Sequence, residues 1–323
     1  MKGPNPFAWN PENFTVFGRK SEIGLFVSFA NATSNGQPGI LIVTGETGSG
    51  KSVLLRNFKH ETERLGLQSI YIKVEKGEKE ADLINKAFYE MKHLEDVIEY
   101  IGNHNRETII FIDGIDRLVG ADQVTKRIVE RIYNSWRRRV SVVLSSTRNL
   151  KVQSDGVRNI NLKGFAEQDM TEMIDSMIGD SELKVGKEFL HSVLDDSCGN
   201  QKTVFMICWY IYEKIKDNEK MITKGHYLNY LPYIMEMFSI EWFGQMYHET
   251  PKAQREILAA IAKSRDGMKV SEIAKKLKKP LGPVSTLVNR LADDGQVTRI
   301  ERGRYRIISM LYGKYVLQRQ GRT

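Results

Sequence analysis

The sequence predicts an α/β domain with a parallel sheet, then a helical region, then a small basic winged helix-turn-helix. Three observations lead there. Apolar, β-branched runs alternate with helical spacings over the first half of the chain, the pattern of a parallel sheet covered on both faces. Beyond Gly164 the strand pattern stops and helical spacings rich in Met, Tyr and Phe take over. In the last quarter the charge changes: residues 250–323 hold 17 Lys and Arg against 6 Asp and Glu, a net of +11. Residues 1–249 hold the other 31 against 34, a net of −3, so the +8 of the whole chain belongs to its C-terminal end.

The remaining composition sets bounds. At 323 residues, two or three domains are expected. With 27% charged and 41% hydrophobic residues, a wholly disordered chain is excluded. Two cysteines, Cys198 and Cys208, make neither a disulfide framework nor a zinc set and read as reduced thiols of a cytoplasmic protein. No apolar run reaches the length of a membrane span, and Met1–Phe7 has no secretory apolar core. There is no internal repeat.

The elements follow in order. The first dozen residues are polar and proline-bearing and read as an arm. A helical pattern runs through Ile23, Leu25 and Phe26. Ile40–Thr44 is a short apolar run, a buried strand, and it ends in glycines. A helix is expected from Lys51 to about Leu65 and a second strand over Ser69–Val74. Residues 79–101 carry Leu83, Ile84, Ala87, Phe88, Met91, Leu94, Ile98 and Ile101 at helical spacing, a stripe that reads as core. Thr108–Asp113 is a third strand, Val124–Arg137 a helix, Val140–Ser145 a fourth strand, and Asn159–Leu162 a fifth. Three expected domains result: 1–164, 165–245 as a helical lid, and 246–323.

Gly45-Glu46-Thr47-Gly48-Ser49-Gly50-Lys51-Ser52 fits the Walker A pattern Gly-x-x-x-x-Gly-Lys-Ser/Thr in full, between a buried strand and a helix beginning with Lys51, Ser52 and Val53. Glycines let the backbone wrap phosphates with its N–H groups, and the helix N-terminus favours an anion. Lys51 is expected to reach the β- and γ-phosphates of ATP or ADP, and the Ser52 hydroxyl to ligate Mg²⁺. The second half of such a site is an acid at the end of another strand. Asp113 ends the most apolar strand and is the candidate partner of Mg²⁺. Enzymes of this class often place a glutamate next. Here that position is Gly114, Asp116 is the nearest acid, and slow ATP hydrolysis is expected. Thr147 and Arg148 close the fourth strand, where polar groups would lie near a γ-phosphate; the alternative for Arg148 is a cap on the strand edge. Arg158 precedes the fifth strand, where it would reach a neighbouring subunit's nucleotide in a homo-oligomer.

In the basic quarter, Lys252–Ala262, Ser271–Leu277 and Pro283–Ala292 are three short helices. Val297–Ile300 and Tyr305–Ile308 pair as a hairpin across Glu301–Arg304. Together they make a winged helix-turn-helix, whose third helix is the usual reader of the major groove. Its outward candidates are Ser285, Thr286, Asn289 and Arg290. Lys278 and Lys279 in the turn, and Arg302, Arg304 and Arg306 on the wing, suit the phosphates of double-stranded DNA. The alternative is a winged helix that binds protein.

With these motifs placed, the chain resembles the archaeal-type AAA+ P-loop ATPases that end in a winged helix, above all the origin-recognition and replication-initiator ATPases. The resemblance runs from Asn5-Pro6-Phe7 and Phe17–Ile23 through the phosphate loop, Asp113 and the fourth strand. It continues through Gly199-Asn200-Gln201-Lys202 to the winged helix. It implies a P-loop NTPase core with a parallel five-stranded sheet and a helical lid. By the same likeness Phe17, Gly18 and Arg19 lie beside the adenine, and Lys202 supplies the basic group of a second sensor. Asp113-Gly114-Ile115-Asp116 and Thr147-Arg148 look more like the STAND signalling ATPases, whose Gly-x-Pro in the lid is absent at Gly199. The expectation is an ATP-switched DNA-binding protein, nucleoid-associated when DNA-bound. The alternatives are a STAND-like regulator acting on protein partners, or a transposition or plasmid-maintenance ATPase.

Overall fold

The computed structural model describes residues 5–7, 16–85, 93–103, 106–134, 139–150, 152, 156–179, 183–216 and 218–321. The chain divides into two compact units, described in turn. The first comprises residues 11–45 and 50–163; the second takes in residues 1–10, 46–49 and 164–323.

The first unit is a three-layer α/β domain. Its elements are α1 (Lys20–Ser34), β1 (Ile40–Gly45), α2 (Lys51–Arg64), β2 (Gln68–Lys73), α3 (Glu80–Asn85) and α4 (Leu94–Gly102). β3 (Thr108–Asp113), α5 (Ala121–Asn134), β4 (Val140–Ser146) and β5 (Val157–Leu162) complete it. The five strands are parallel, in the order β2-β3-β4-β1-β5. Alternation along each strand builds two cores. Leu41, Val43, Phe111 and Val143 face α1 and α2, where Phe26 stacks on Phe58 at 4.1 Å. Ile40, Ile42, Ile110, Ile112, Val142 and Leu144 face the other way, onto Val97, Ile98 and Ile101 of α4 and Val124 and Ile128 of α5. β1, β3 and β4 are buried along their whole length, which explains why they read as unbroken apolar runs.

The parallel five-stranded sheet is as expected, with differences at the ends of elements. The 79–101 stripe is two helices, α3 and α4, and its Ala87, Phe88 and Met91 lie outside the described residues. α5 begins at Ala121, three residues before the expected start, and the expected end at Arg137 lies outside the described residues.

The second unit contains a helical region and the winged helix. The helical region holds α6 (Glu167–Ile178), β6 (Lys184–Val185), α7 (Lys187–Ser197), α8 (Gln201–Lys214), β7 (Met221–Ile222), α9 (Lys224–Phe238) and α10 (Gly244–His248). The winged helix holds α11 (Lys252–Ala262), β8 (Met268–Lys269), α12 (Val270–Leu277), α13 (Leu281–Asp293), β9 (Val297–Glu301), β10 (Arg304–Ile307) and α14 (Met310–Gln320). Three features escape periodicity. β6 and β7 pair in parallel, so strands do not stop at Gly164. β8 adds a third strand beside the hairpin, in the order β8-β10-β9. The third is α14. Two-residue strands carry too little pattern to be read, and the buried side of α14 holds Tyr312, Gly313 and Tyr315 beside Leu311 and Val316, so it is weakly marked by apolar residues. Phe243 sits 5.1 Å from Tyr312 and 5.9 Å from Tyr315 of α14. Lys314 and Arg265 pair with Asp196 and Asp195 at the end of α7. Near the start of the chain, the Asn5 amide donates to the Trp209 carbonyl and Glu213, and Phe7 lies edge-on to Tyr212.

Among the described residues no helix is long and apolar enough to cross a membrane. Burial pushes the Cys208 thiol up to about 12, while Cys198 is partly exposed and raised less far. Thiolate is the reactive form. In native protein at pH 8, Ellman's reagent is therefore expected to titrate Cys198 slowly and leave Cys208 untouched. Both should react after denaturation.

Candidate nucleotide and DNA sites

The strand order brings three ends together. β4 lies between β1, which ends in Gly45, and β3, which ends in Asp113. Inward of these ends the strands are mainly apolar, with Thr108 and Ser141 buried near their amino ends, and the buried carboxylate of Asp113 lies at the carboxyl edge of the sheet. The chain leaves β1 at Gly45 and enters α2 through Gly50, whose φ of 89° is the left-handed conformation that glycine supplies. The Lys51 side chain is buried and donates to the Gly45 carbonyl at 2.7 Å. Ser52, the next residue, is exposed on the first turn of α2, with Val53 half-buried behind it.

Asp113 is buried, and both carboxylate oxygens accept hydrogen bonds. The Ser145 hydroxyl donates to Oδ1 at 2.5 Å, and the Tyr71 hydroxyl to Oδ2 at 2.7 Å. Burial, reinforced by the negative charge of Asp113, pushes the Tyr71 phenol far above its ordinary range and keeps it a donor. The Ser145 Oγ in turn accepts from the Gly114 N–H at 2.8 Å. Tyr71 and Ser145 were not singled out from sequence. Their signal was a polar residue near the end of an apolar strand, which is common and carries no partner by itself.

Asp116 is tied to the residue that follows β4. Its Oδ2 accepts from both the backbone N–H (2.9 Å) and the hydroxyl of Thr147, while its Oδ1 is buried and accepts no hydrogen bond from the protein. Arg148 donates to Asp122 at 2.9 Å. Arg158 lies exposed on the edge strand β5, its guanidinium 5.7 Å from the Phe29 ring. Of the entry segment, Phe17 and Arg19 are buried, Gly18 has a φ of 61°, and Arg19 donates to the Lys163 carbonyl at 2.6 Å. Ser52 and the Asp113 carboxylate offer oxygen donors only, the donor type that suits a hard cation such as Mg²⁺.

The tip of the phosphate loop, Glu46–Ser49, belongs to the second unit and is held there by the start of α8. The Asn200 side chain is fully buried. Its amide donates to the Thr47 carbonyl at 2.7 Å, and its Oδ1 caps α8 by accepting from the Thr203 N–H at 3.1 Å. The Lys202 N–H donates to the Gly48 carbonyl at 3.0 Å. A Cβ on Gly48 would fall 2.7 Å from the Asn200 oxygen, so glycine is required there. The Lys202 ammonium lies 4.1 Å from the centre of the Trp242 ring, and burial lowers its pKa.

On the winged helix, Thr286 and Arg290 are exposed on α13, Ser285 is half-buried, and the exposed Asn289 accepts from the Tyr305 hydroxyl at 2.8 Å. Lys278 and Arg302 are exposed. Lys279 pairs with Glu256, and Arg304 with Glu301 at 2.7 Å. Arg306 is turned inward from the wing: its guanidinium donates to the Cys198 carbonyl at 3.4 Å, and its Nε is buried.

Residues 15–104 match the AAA ATPase domain family, and residues 251–298 match the family of winged helix-turn-helix DNA-binding domains. The first match falls on the region of the phosphate loop and the second on the basic C-terminal region. The AAA match takes in the phosphate loop and ends before Asp113, so the acidic half of the site rests on the sheet geometry above. A Walker-type ATPase of Pyrococcus abyssi is similar over 97% of this chain and 99% of its own, with a TM-score of 0.69 and 15% identity. The Aeropyrum pernix Orc1 protein, solved in complex with DNA, is similar over 98% of this chain and 96% of its own, with a TM-score of 0.56 and 14% identity. The Thermotoga maritima RuvB Holliday junction branch migration motor is similar over 93% and 95%, with a TM-score of 0.52 and 16% identity. At these identities the likeness is one of fold. No curated protein matches the sequence.

Gly114, the residue after Asp113, has a backbone conformation that disfavours a glutamate at this position. Its φ is 85°, and a Cβ there would meet the Arg117 Cδ at 3.0 Å. L-residues in this conformation cost roughly 1–2 kcal/mol. Gly114→Ala and Gly114→Glu are both expected to lower the unfolding free energy by about that much, measured by urea denaturation.

Proposed function

We propose that the protein binds ATP with Mg²⁺ on the phosphate loop and uses the nucleotide state to control how its winged helix engages double-stranded DNA. The observation that carries this reading is the phosphate loop itself. It is complete in sequence, it joins a buried strand to a helix, and its tip is hydrogen-bonded to the unit that contains the winged helix. Lys51 and the loop N–H groups neutralise the phosphates, and Ser52 and Asp113 hold the metal. Thr147 and Arg148 are proposed sensors and Arg158 a proposed contact to a neighbouring subunit's nucleotide. Phe17, Gly18 and Arg19 are assigned to the base, and Lys202 to the phosphates. Hydrolysis is slow in this reading. Gly114 offers no base, and Asp116, the nearest acid, is engaged by Thr147. An initiator-like role at DNA is supported by the fold shared with Orc1 and by the net charge of +11 in residues 250–323.

The DNA surface is assigned to Arg290, Thr286, Ser285 and Asn289 on α13, with Lys278, Lys279, Arg302 and Arg304 flanking it on phosphates. Arg306 leaves this set, because its guanidinium faces Cys198. A second reading, a STAND-like regulator that retains ADP and acts on protein partners, is favoured by Gly114 alone.

Fluorescence anisotropy on a duplex, with ATP, with ADP and for Lys51→Ala, tests the reading. Affinity should differ between the nucleotides, and Lys51→Ala should lose the difference. Identical affinity in all three states would remove the switch. With these four phosphate contacts, log K against log salt should fall with a slope of roughly −3.6. Purified protein that keeps ADP and ignores duplex at low salt would establish the second reading instead.

A further inference from the structure

The winged helix touches the phosphate loop directly, and the contact is made by the turn that follows the DNA-facing helix. Glu46 is the second residue of the loop. Its Oε2 accepts a hydrogen bond from the Thr298 hydroxyl at the start of the wing, a residue 252 positions away in the chain. Thr47, the next residue, packs against Gly295. That glycine has a φ of 68°, and a Cβ on it would fall 2.7 Å from the Thr47 Cβ. The backbone here approaches the loop so closely that no side chain fits between them. Glu46, Thr47, Gly295 and Thr298 all belong to one compact unit.

The turn between α13 and β9 is stiff. Asp294, Gly295 and Gln296 donate their N–H groups back to Arg290, Ala292 and Leu291 at 2.8–3.0 Å, which carries α13 into the turn without a hinge. The Gln296 side chain is buried. Its amide donates to the Thr250 hydroxyl at 2.8 Å, and its Oε1 accepts from the Tyr312 hydroxyl at 2.7 Å. The Gln296 carbonyl accepts from the Ile308 N–H at 3.3 Å. Arg290, a proposed base contact, and Thr298, the phosphate-loop contact, are therefore two ends of one rigid piece.

Glu46 is an anion on a loop built to accept other anions. A carboxylate free to swing toward bound phosphates would repel them, and in the low dielectric of a folded site the repulsion is strong. The Thr298 hydroxyl stabilises the carboxylate where it lies and fixes its direction. We propose that the winged helix sets the nucleotide affinity of the phosphate loop through this contact, with Thr298 a positioning residue that holds the Glu46 carboxylate away from the phosphates. The proposal rests on the phosphate loop binding nucleotide. Linkage makes the effect reciprocal: bound nucleotide tightens the hold of the loop on the α13–β9 turn, and so fixes where α13 stands when it meets duplex.

The test uses the full chain with Mg²⁺ and a fluorescent ATP analogue, with no DNA present. Thr298→Val keeps the shape and strand preference of the side chain and removes the hydroxyl. It is expected to weaken nucleotide binding about three- to tenfold, in keeping with the net contribution of a single hydrogen bond. In a Glu46→Gln background, where there is no anion to restrain, the same substitution should change affinity by less than about twofold. Thr298→Ser retains the hydroxyl and should bind as the wild type does. Wild-type affinity in Thr298→Val, or an equal loss with and without Glu46→Gln, would overturn the proposal. Lys51→Ala separates the two levels. If it binds nucleotide as tightly as the wild type, it is the nucleotide reading that fails. If it loses binding while Thr298→Val does not, the contact has no influence.

Discussion

One constraint organises the nucleotide half of the molecule: a strand buried on both faces has to pass its chain to a helix at the carboxyl edge of the sheet. β1 lies inside the sheet, between β4 and β5, and exposes no side chain until it ends. The backbone must then turn within a few residues, and glycine at the αL position of Gly50 makes that turn without strain. The same edge collects the other polar groups. Asp113 leaves β3, and Ser145 and Thr147 lie at the end of β4. Buried polar groups need partners within the protein: Ser145 pairs with Asp113, and Thr147 with Asp116. The result is a fixed arrangement of oxygens and N–H groups next to a loop suited to anions.

The tip of the phosphate loop is held within its own unit, by Asn200 and by the winged helix. Asn200 does two tasks with one buried amide, since the same side chain caps α8 and pins Thr47. A loop held by two elements far apart in the chain gives a physical basis for coupling, because any ligand that moves the loop acts on both. The net positive charge lies in the last quarter, while the rest of the chain is slightly acidic.

Much of the fold was legible because burial writes itself into periodicity. The five strands of the sheet and the three helices of the winged helix each show an apolar pattern long enough to read. The phosphate loop was legible for a different reason, since glycines and a lysine at fixed spacing answer the demands of phosphate binding. Short elements were not legible. β6, β7 and β8 have two residues each, and α14 hides its periodicity under Tyr312 and Tyr315, which pack on Phe243.

The sequence by itself determined the elements of the sheet, the phosphate loop and the location of the positive charge, because each depends on local order along the chain. Only the tertiary structure decided which polar groups meet. That Tyr71 and Ser145 serve Asp113, that Thr147 engages Asp116, that Arg306 turns toward Cys198, and that Thr298 reaches Glu46 are long-range pairings. Nothing in local sequence encodes them, because a hydrogen bond is specified by the two positions the fold brings together.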